Sequence, residues 1–252
     1  MSTDHPFELS GTPIAYFQPQ QRLDGTVDGA EALARWERPN GDLLTPDQFL
    51  PRVGRERGAA TLTRRMCVRA LALIAWQTAV GRPLNVSVNA PPDVIADPGF
   101  VAWLTHELAG TAGDGSLTLE LLETPYHGSE RRLVRALERL REAGVRIAID
   151  DFGTQASTMR RVRRLPIDEW KIARELVHGV SQCGTRARRL ARLMHVGRRL
   201  GLRTVLEGVE APDDLAWAHA CCPANTVIQG FAVARPMSFS DTRRWIAGRR
   251  IH

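Results

Sequence analysis

Short apolar runs alternate with longer amphipathic stretches along this chain, and the alternation predicts its secondary structure. Each run has roughly four to eight residues, the length of a buried strand. One strand is predicted over 30–36, and others begin near Ile14, Leu84, Leu117, Val145, Ile167, Arg203 and Thr226. Helical spacing is found at 46–79, 129–144 and 185–201. The last of these has its predicted apolar face at Leu190, Leu193, Gly197 and Leu200.

Polar residues mark the ends of successive predicted strands. Asn89, Glu120, Asp150 and Lys171 follow one another at separations of 31, 30 and 21 residues. Spacings of about 30 residues are typical of units in which a strand is followed by its crossover helix. We therefore predict an α/β fold, a TIM-like (βα)8 barrel over about 14–248, in a single domain spanning 1–252. The active site of that fold lies at the carboxyl ends of the strands, where these residues stand.

These strand ends offer oxygen ligands and no histidine. The candidate ligands are Glu31, Asn89, Glu120, Asp150, Asp151 and Glu207. A set of this kind favours Mg²⁺ or Mn²⁺ over zinc, and two such ions about 4 Å apart suit in-line attack on a phosphodiester. Neighbouring residues of a strand point to opposite faces, so the chain must turn at Asp150 and Asp151 for both to contribute. The alternative, a set of unrelated buried ion pairs, does not explain why six such residues share the phase of one barrel.

Lysine occurs once, at Lys171, among 34 lysine and arginine residues. A coding preference for arginine explains the other positions. Lysine is a compact charge, whereas arginine is a broad planar fork. We therefore predict that Lys171 positions an attacking water and offsets negative charge on the phosphorane, while Glu207 takes a proton from that water or completes a metal site.

Composition narrows the class of protein. The 252 residues carry a formal charge of +6, which suits a polyanion or a small phosphodiester ligand. The basic run RRVRR at 160–164 would suit nucleic acid, but aromatic content is 6% and no DNA-binding motif is found, so we expect a solvated face there. No apolar run approaches the roughly 20 residues of a membrane span, and the apolar region of a secretory signal is not found in residues 1–13. The four cysteines form no CxxC motif. These features predict a reduced, cytoplasmic protein without a membrane partner.

Ten short motifs are shared with a known family. They are FQP at 17–19, GAEALARW at 29–36, TPDQFLP at 45–51, SVN at 87–89, LTLE at 117–120, IDDFGT at 149–154, RLPID at 164–168, EGVE at 207–210, QGF at 229–231 and RP at 235–236. From about Tyr16 to Trp245 the chain resembles the EAL-domain cyclic di-GMP phosphodiesterases. The resemblance implies hydrolysis of this bacterial second messenger to linear pGpG with two Mg²⁺ or Mn²⁺ ions.

The resemblance also implies roles for individual residues. The six oxygen ligands named above become metal ligands, and Lys171 stands beside the attacking water. A loop-stabilising role falls on Glu123. Contacts with the dinucleotide fall on Gln18, Leu33, Arg35, Gln229 and Pro236, with Arg35 meeting a phosphate.

Several positions depart from the family pattern. Gln155 and Ala156 replace a Gly-Tyr pair after the second aspartate, and Ala173 replaces an aspartate after the lysine. Two smaller departures are Pro91 and Leu122. These departures leave an alternative function open, in which the protein has weak or no catalytic activity and serves as a cyclic di-GMP receptor or a protein-interaction module. The sequence leaves expression, metal supply, a homodimer and a protein partner open as routes of regulation.

Overall fold

The computed structural model describes residues 9–53, 57–109, 115–153, 159–223 and 225–251, with only the backbone described at 57, 160 and 161. Within these ranges the strands are β1 Thr12–Arg22, β2 Val27–Glu37, β3 Leu43–Leu44, β4 Asn85–Ala90, β5 Ser116–Leu121, β6 Arg146–Phe152, β7 Glu169–Ile172, β8 Arg203–Leu206 and β9 Val227–Ile228. Their order in the sheet is β1-β9-β8-β7-β6-β5-β4-β2-β3, and β1 also pairs with β2. Eight strands thus close into a barrel, with β3 as a short extension beside β2. The predicted TIM-like barrel is confirmed.

The first two strands form a hairpin instead of a crossover unit. β1 runs antiparallel to both of its barrel neighbours, β2 and β9. The remaining neighbouring pairs around the barrel, from β2–β4 through to β8–β9, are parallel. The connection is a tight turn in which Thr26 N donates to Asp24 Oδ1 at 2.9 Å and Gly25 has a φ of 84°. So short a link cannot hold a crossover helix, which parallel strands require.

The described helices are α1 Pro46–Phe49, α2 Arg57–Ala79, α3 Pro92–Ile95, α4 Pro98–Ala109, α5 Glu130–Glu142, α6 Met159–Arg164, α7 Arg174–Val177, α8 Gly184–Leu200, α9 Pro212–Cys221 and α10 Phe239–Ala247. The helical stretch predicted over 46–79 contains α1 and α2 but is not one continuous helix. A 3-10 turn at Leu50–Arg52 follows α1, because Pro51 lacks the N–H that a continuous helix needs. The predicted apolar face of α8 is also partly wrong, since Leu200 is 45% exposed and Met194 is buried instead.

Side chains alternate between the inside of the barrel and its outer face. Lys171 on β7 contacts Glu31 on β2 and Glu120 on β5, so these three side chains point inwards. Trp170, the neighbour of Lys171, points outwards and is fully buried beneath Gly197 of α8. The apolar core therefore lies between the strands and the helices, while polar groups fill the centre. Among the described helices, none combines the length and apolar character that a membrane crossing requires.

Candidate active site

Lys171 lies at the centre of a cluster of acids at the carboxyl ends of the strands. Its Nζ is 2.7 Å from Glu207 Oε1, 2.9 Å from Glu120 Oε2, 3.0 Å from Glu31 Oε2 and 3.4 Å from Asp150 Oδ1. The lysine side chain is only 1% exposed. Burial alone would lower the pKa of Lys171, but Asp150, Glu120, Glu207 and Glu31 outweigh burial and raise it well above its usual value. The ammonium is therefore charged and shared among four carboxylates.

Asp150 and Asp151 approach the same point because the chain turns at the end of β6. Asp151 has a φ of 49°, the left-handed region that aspartate adopts more readily than most residues. The pairing of β6 with β7 shifts register between Ile149 and Phe152. As a result Asp150, Asp151 and Glu207 each place a carboxylate oxygen within 4.8 Å of the others. The turn that the sequence requires is present in the structure.

Glu31 is held by donors from several strands. Asn89 Nδ2 on β4 donates to Glu31 Oε1 at 2.7 Å. Gln229 Nε2, just after β9, donates to Glu31 Oε2 at 2.6 Å, and Lys171 Nζ approaches the same oxygen. Burial acts to raise the pKa of Glu31, but the charge of Lys171 and these hydrogen bonds hold it below its usual value. Glu31 is therefore a fixed, ionised carboxylate.

The other acids lack enough positive charge around them. Burial and the neighbouring Glu31 raise the pKa of Glu120 well above its usual value. Burial and Asp150 raise the pKa of Asp151 to about 6 and that of Glu207 to about 8, although Lys171 opposes both shifts. Five carboxylates thus converge around one ammonium. This imbalance is what bound cations would correct.

The donor set fits divalent cations that prefer oxygen ligands. Among the described residues, Glu120 Oε1 is a buried carboxylate oxygen that has no hydrogen-bond partner. Buried polar atoms are normally paired, so an oxygen of this kind at an acidic cluster indicates a ligand position. Carboxylate and amide oxygens without histidine or thiolate suit Mg²⁺ or Mn²⁺.

The predicted dinucleotide contacts lie around the same end of the barrel. In the β1–β2 hairpin Gln18 stands opposite Glu31, and Leu33 and Arg35 follow Glu31 on the same face of β2. Arg35 is half-buried, with its guanidinium 5.9 Å from the centre of the Tyr16 ring. Gln18 Nε2 donates to Ala234 O at 3.1 Å, and this contact places the segment holding Pro236 beside β1. Their contacts with a ligand stay predictions.

Two of the predicted features concern the loop after β6. Gln155 and Ala156 lie outside the described residues. Glu123, predicted to stabilise this loop, follows β5. Its negative charge is one of the smaller causes that raise the pKa of Asp151, behind burial and the charge of Asp150. Ala173 precedes α7 as its N-cap, where it provides no side-chain hydrogen bond of the kind an aspartate would give.

Sequence reasoning missed a group of polar residues beneath the cluster. Gln20 Nε2 donates to Gln229 Oε1 at 2.8 Å, and Arg203 Nη2 donates to Gln20 Oε1 at 3.1 Å. Arg203 also forms ion pairs with Asp28 and Glu169. One signal was available, because Gln20 lies two residues after Gln18 and therefore on the same face of β1.

Comparison with known proteins identifies the family. The model of the EAL domain matches residues 10–236. This chain belongs to the EAL domain family. The predicted family membership and the barrel fold of the EAL domain are thereby confirmed.

Individual relatives agree with this assignment. Cyclic di-GMP phosphodiesterase NbdA of Pseudomonas aeruginosa is 31% identical over 247 residues, covering 93% of this chain and 30% of that protein. The solved structure of PaMucR phosphodiesterase in complex with c-di-GMP has a TM-score of 0.80 and 29% identity, covering 91% of this chain and 94% of that one. The EAL domain of Mycobacterium smegmatis DcpA has a TM-score of 0.77 and 25% identity, covering 96% and 100% of the two chains. This chain spans 28 to 33% of the length of three curated relatives that it matches.

Proposed function

We propose that this EAL domain is a phosphodiesterase that hydrolyses cyclic di-GMP to linear pGpG with two Mg²⁺ or Mn²⁺ ions. The observation that carries the proposal is the convergence of the acids at the carboxyl ends of the barrel strands. Asp150, Asp151 and Glu207 bring oxygens within 4.8 Å, and Glu31 and Glu120 join them through Lys171. Relatives named as cyclic di-GMP phosphodiesterases support the choice of substrate.

The residues of the cluster divide into metal ligands and groups that act on the attacking water, and Glu207 serves in both roles. The ions would be held by Glu31, Asn89, Glu120, Asp150, Asp151 and Glu207, and when bound they supply a lowered pKa for water and charge neutralisation at phosphorus. Lys171 places its ammonium where a nucleophilic water and a phosphate oxygen meet the acids, and it offsets charge that develops on phosphorus. Glu207, 2.7 Å from Lys171, is placed to receive a proton from that water.

The substrate would lie across the face formed by the β1–β2 hairpin and the segment after β9. Arg35 would pair with a phosphate, for which the planar guanidinium is suited. Gln18, Leu33, Gln229 and Pro236 would surround the rest of the dinucleotide. Water adds to phosphorus, one P–O ester bond breaks, and the departing ribose oxygen takes a proton, so that one water is consumed for each pGpG formed.

The test is incubation of the purified protein with cyclic di-GMP and Mg²⁺ or Mn²⁺, followed by separation of the nucleotides. We expect pGpG to form with either ion, and Ca²⁺ to inhibit by replacing the smaller ion. Binding of cyclic di-GMP without product would favour the receptor function instead. Absence of both binding and turnover would leave protein interaction as the best account.

A further inference from the structure

A buried chain of hydrogen bonds crosses the barrel from the end opposite the acidic cluster. It starts at Arg203, the first residue of β8, whose Nη2 donates to Gln20 Oε1 at 3.1 Å. Gln20 Nε2 then donates to Gln229 Oε1 at 2.8 Å. Gln229 Nε2 donates to Glu31 Oε2 at 2.6 Å. Gln20 is 0% exposed and Gln229 is 5% exposed, so protein groups and not bulk solvent decide how these amides are oriented.

The two ends of the chain fix its direction. An arginine side chain has only donors, and an ionised carboxylate has only acceptors. Gln20 must therefore turn its oxygen to Arg203 and its nitrogen to Gln229. Gln229 must in turn face Gln20 with its oxygen, which leaves its nitrogen for Glu31. Reversing either amide would bring like groups together at both of its contacts.

Arg203 is itself firmly held. Its Nε donates to Asp28 Oδ2 at 2.9 Å, and it forms ion pairs with both Asp28 and Glu169. Burial alone would lower the pKa of Arg203, but these two carboxylates raise it. The donor that sets the direction of the chain is thus charged and cannot turn away without breaking two ion pairs.

The same direction extends to a third glutamine, Gln18. Gln229 Nε2 also donates to Gln18 Oε1 at 3.2 Å, and Gln18 Nε2 donates to Ala234 O at 3.1 Å. The direction set by Gln20 thus agrees with the one that the backbone carbonyl of Ala234 imposes on Gln18, and both leave the Gln229 nitrogen as the donor.

We propose that Gln20 is a positioning residue that makes Gln229 donate to Glu31 and so fixes the carboxylate as a metal ligand. This inference rests on the proposed function, because it concerns the same metal site. Gln20 acts through Gln229 and is not itself a ligand. If Gln20 presented an acceptor to Gln229, the Gln229 amide would turn, and its oxygen would face Glu31 and repel that carboxylate.

The test compares Gln20→Glu with Gln20→Met in the full chain. Glutamate keeps the shape of the side chain and the bond to Arg203. Beside that charged guanidinium it is ionised, so it offers acceptors at both contacts. Methionine removes both bonds and imposes no direction. Gln77→Met is the matched control, because Gln77 is another fully buried glutamine, on α2.

Three measurements follow each variant: thermal unfolding, affinity for Mn²⁺ in the absence of dinucleotide, and the side-chain amide resonances of Gln229 in metal-free protein. We expect Gln20→Glu to weaken Mn²⁺ binding by about tenfold or more, the scale of one hydrogen bond to a charged group. Gln20→Met should weaken it less, and Gln77→Met should leave it unchanged. The unfolding temperature should fall more for Gln20→Met, since only glutamate still pairs with Arg203.

Whether Gln20→Glu weakens or strengthens Mn²⁺ binding decides whether Gln20 has this positioning role. An added negative charge would by itself attract Mn²⁺, so weaker binding in Gln20→Glu supports the directional role. Tighter binding, unshifted Gln229 resonances, or losses that simply follow the unfolding temperature would overturn it. Since none of these measurements needs turnover, a wild-type protein that forms no pGpG would refute the proposed phosphodiesterase without touching this inference.

Discussion

Lys171 Nζ lies 2.7 Å from Glu207 Oε1, at the point where β7 and β8 end side by side. Lysine and glutamate here form the shortest contact of a cluster in which one buried ammonium serves four carboxylates. A buried ion pair is costly unless its geometry is good and its remaining atoms are satisfied. Apolar side chains could have closed this end of the barrel without that free-energy cost. The presence of the charges therefore indicates that they serve function and not stability.

The first prediction concerns the shape of the cation at position 171. Lys171→Arg should lower the rate of pGpG formation nearly as much as Lys171→Ala, because a planar guanidinium does not fit among carboxylates 2.7 to 3.4 Å from the ammonium. Each rate should fall by at least about two orders of magnitude, the scale of losing one transition-state donor. Cyclic di-GMP affinity measured in Ca²⁺ should change little. An arginine variant that keeps most of the wild-type rate would show that charge alone suffices.

The second prediction separates metal binding from substrate binding. Glu31→Ala and Asp150→Ala should each abolish measurable turnover, because each removes a carboxylate from the cluster around Lys171. Thermal unfolding would show whether the variants still fold. Full activity in Glu31→Ala would remove β2 from the metal site.

Arg35→Ala should chiefly weaken dinucleotide binding, by about 10- to 100-fold, the scale of a charge-assisted hydrogen bond. Binding is measured in Ca²⁺, so that turnover does not interfere. Arg69→Ala is the matched control, since Arg69 is exposed on α2 and its loss changes the net charge equally. Equal weakening by both substitutions would mean that only overall charge matters.

A prediction about the loop after β6 rests on the family resemblance, since residues 154–158 lie outside those described. Glycine adopts positive φ values that Gln155 resists. The double substitution Gln155→Gly with Ala156→Tyr should therefore lower the metal concentration that gives half of the maximal rate. The measurement is a Mg²⁺ or Mn²⁺ titration of activity, with the oligomeric state followed by light scattering. If neither changes, the departure from the family pattern is harmless.

The last prediction concerns the packing that supports β7. A Cβ at Gly197 would lie 2.5 Å from Trp170 Cζ2, and Trp170 is held by a 2.7 Å hydrogen bond from its Nε1 to Thr204 Oγ1. Gly197→Ala should therefore destabilise the protein by about 1–3 kcal/mol through overpacking, despite the better helix propensity of alanine. Denaturant unfolding gives the free energy. Gly184→Ala, in the same helix but with its nearest atom at 3.5 Å, should be neutral or stabilising, and an equal loss there would exclude the packing explanation.

The sequence by itself determined the elements that depend on local pattern. Strand starts near Leu84, Leu117, Val145 and Arg203 match β4, β5, β6 and β8 to within one residue, because short apolar runs between turns report buried strands directly. Candidate ligands followed from the same pattern, since parallel strands bring their carboxyl ends to one edge.

Only the tertiary structure decided which groups meet. The antiparallel hairpin of β1 and β2 depends on a short turn. The helical stretch over 46–79 is interrupted near Pro51, although the spacing of its apolar residues alone does not indicate an interruption. Lys171 is shared among four acids that lie on or just after different strands. The chain from Arg203 through Gln20 to Gln229 likewise joins distant residues, of which Gln20 and Gln229 are 209 positions apart. The local sequence does not predict these contacts. They form only when the closed barrel brings the donors and acceptors together, and the direction of each hydrogen bond is then set by which partners meet.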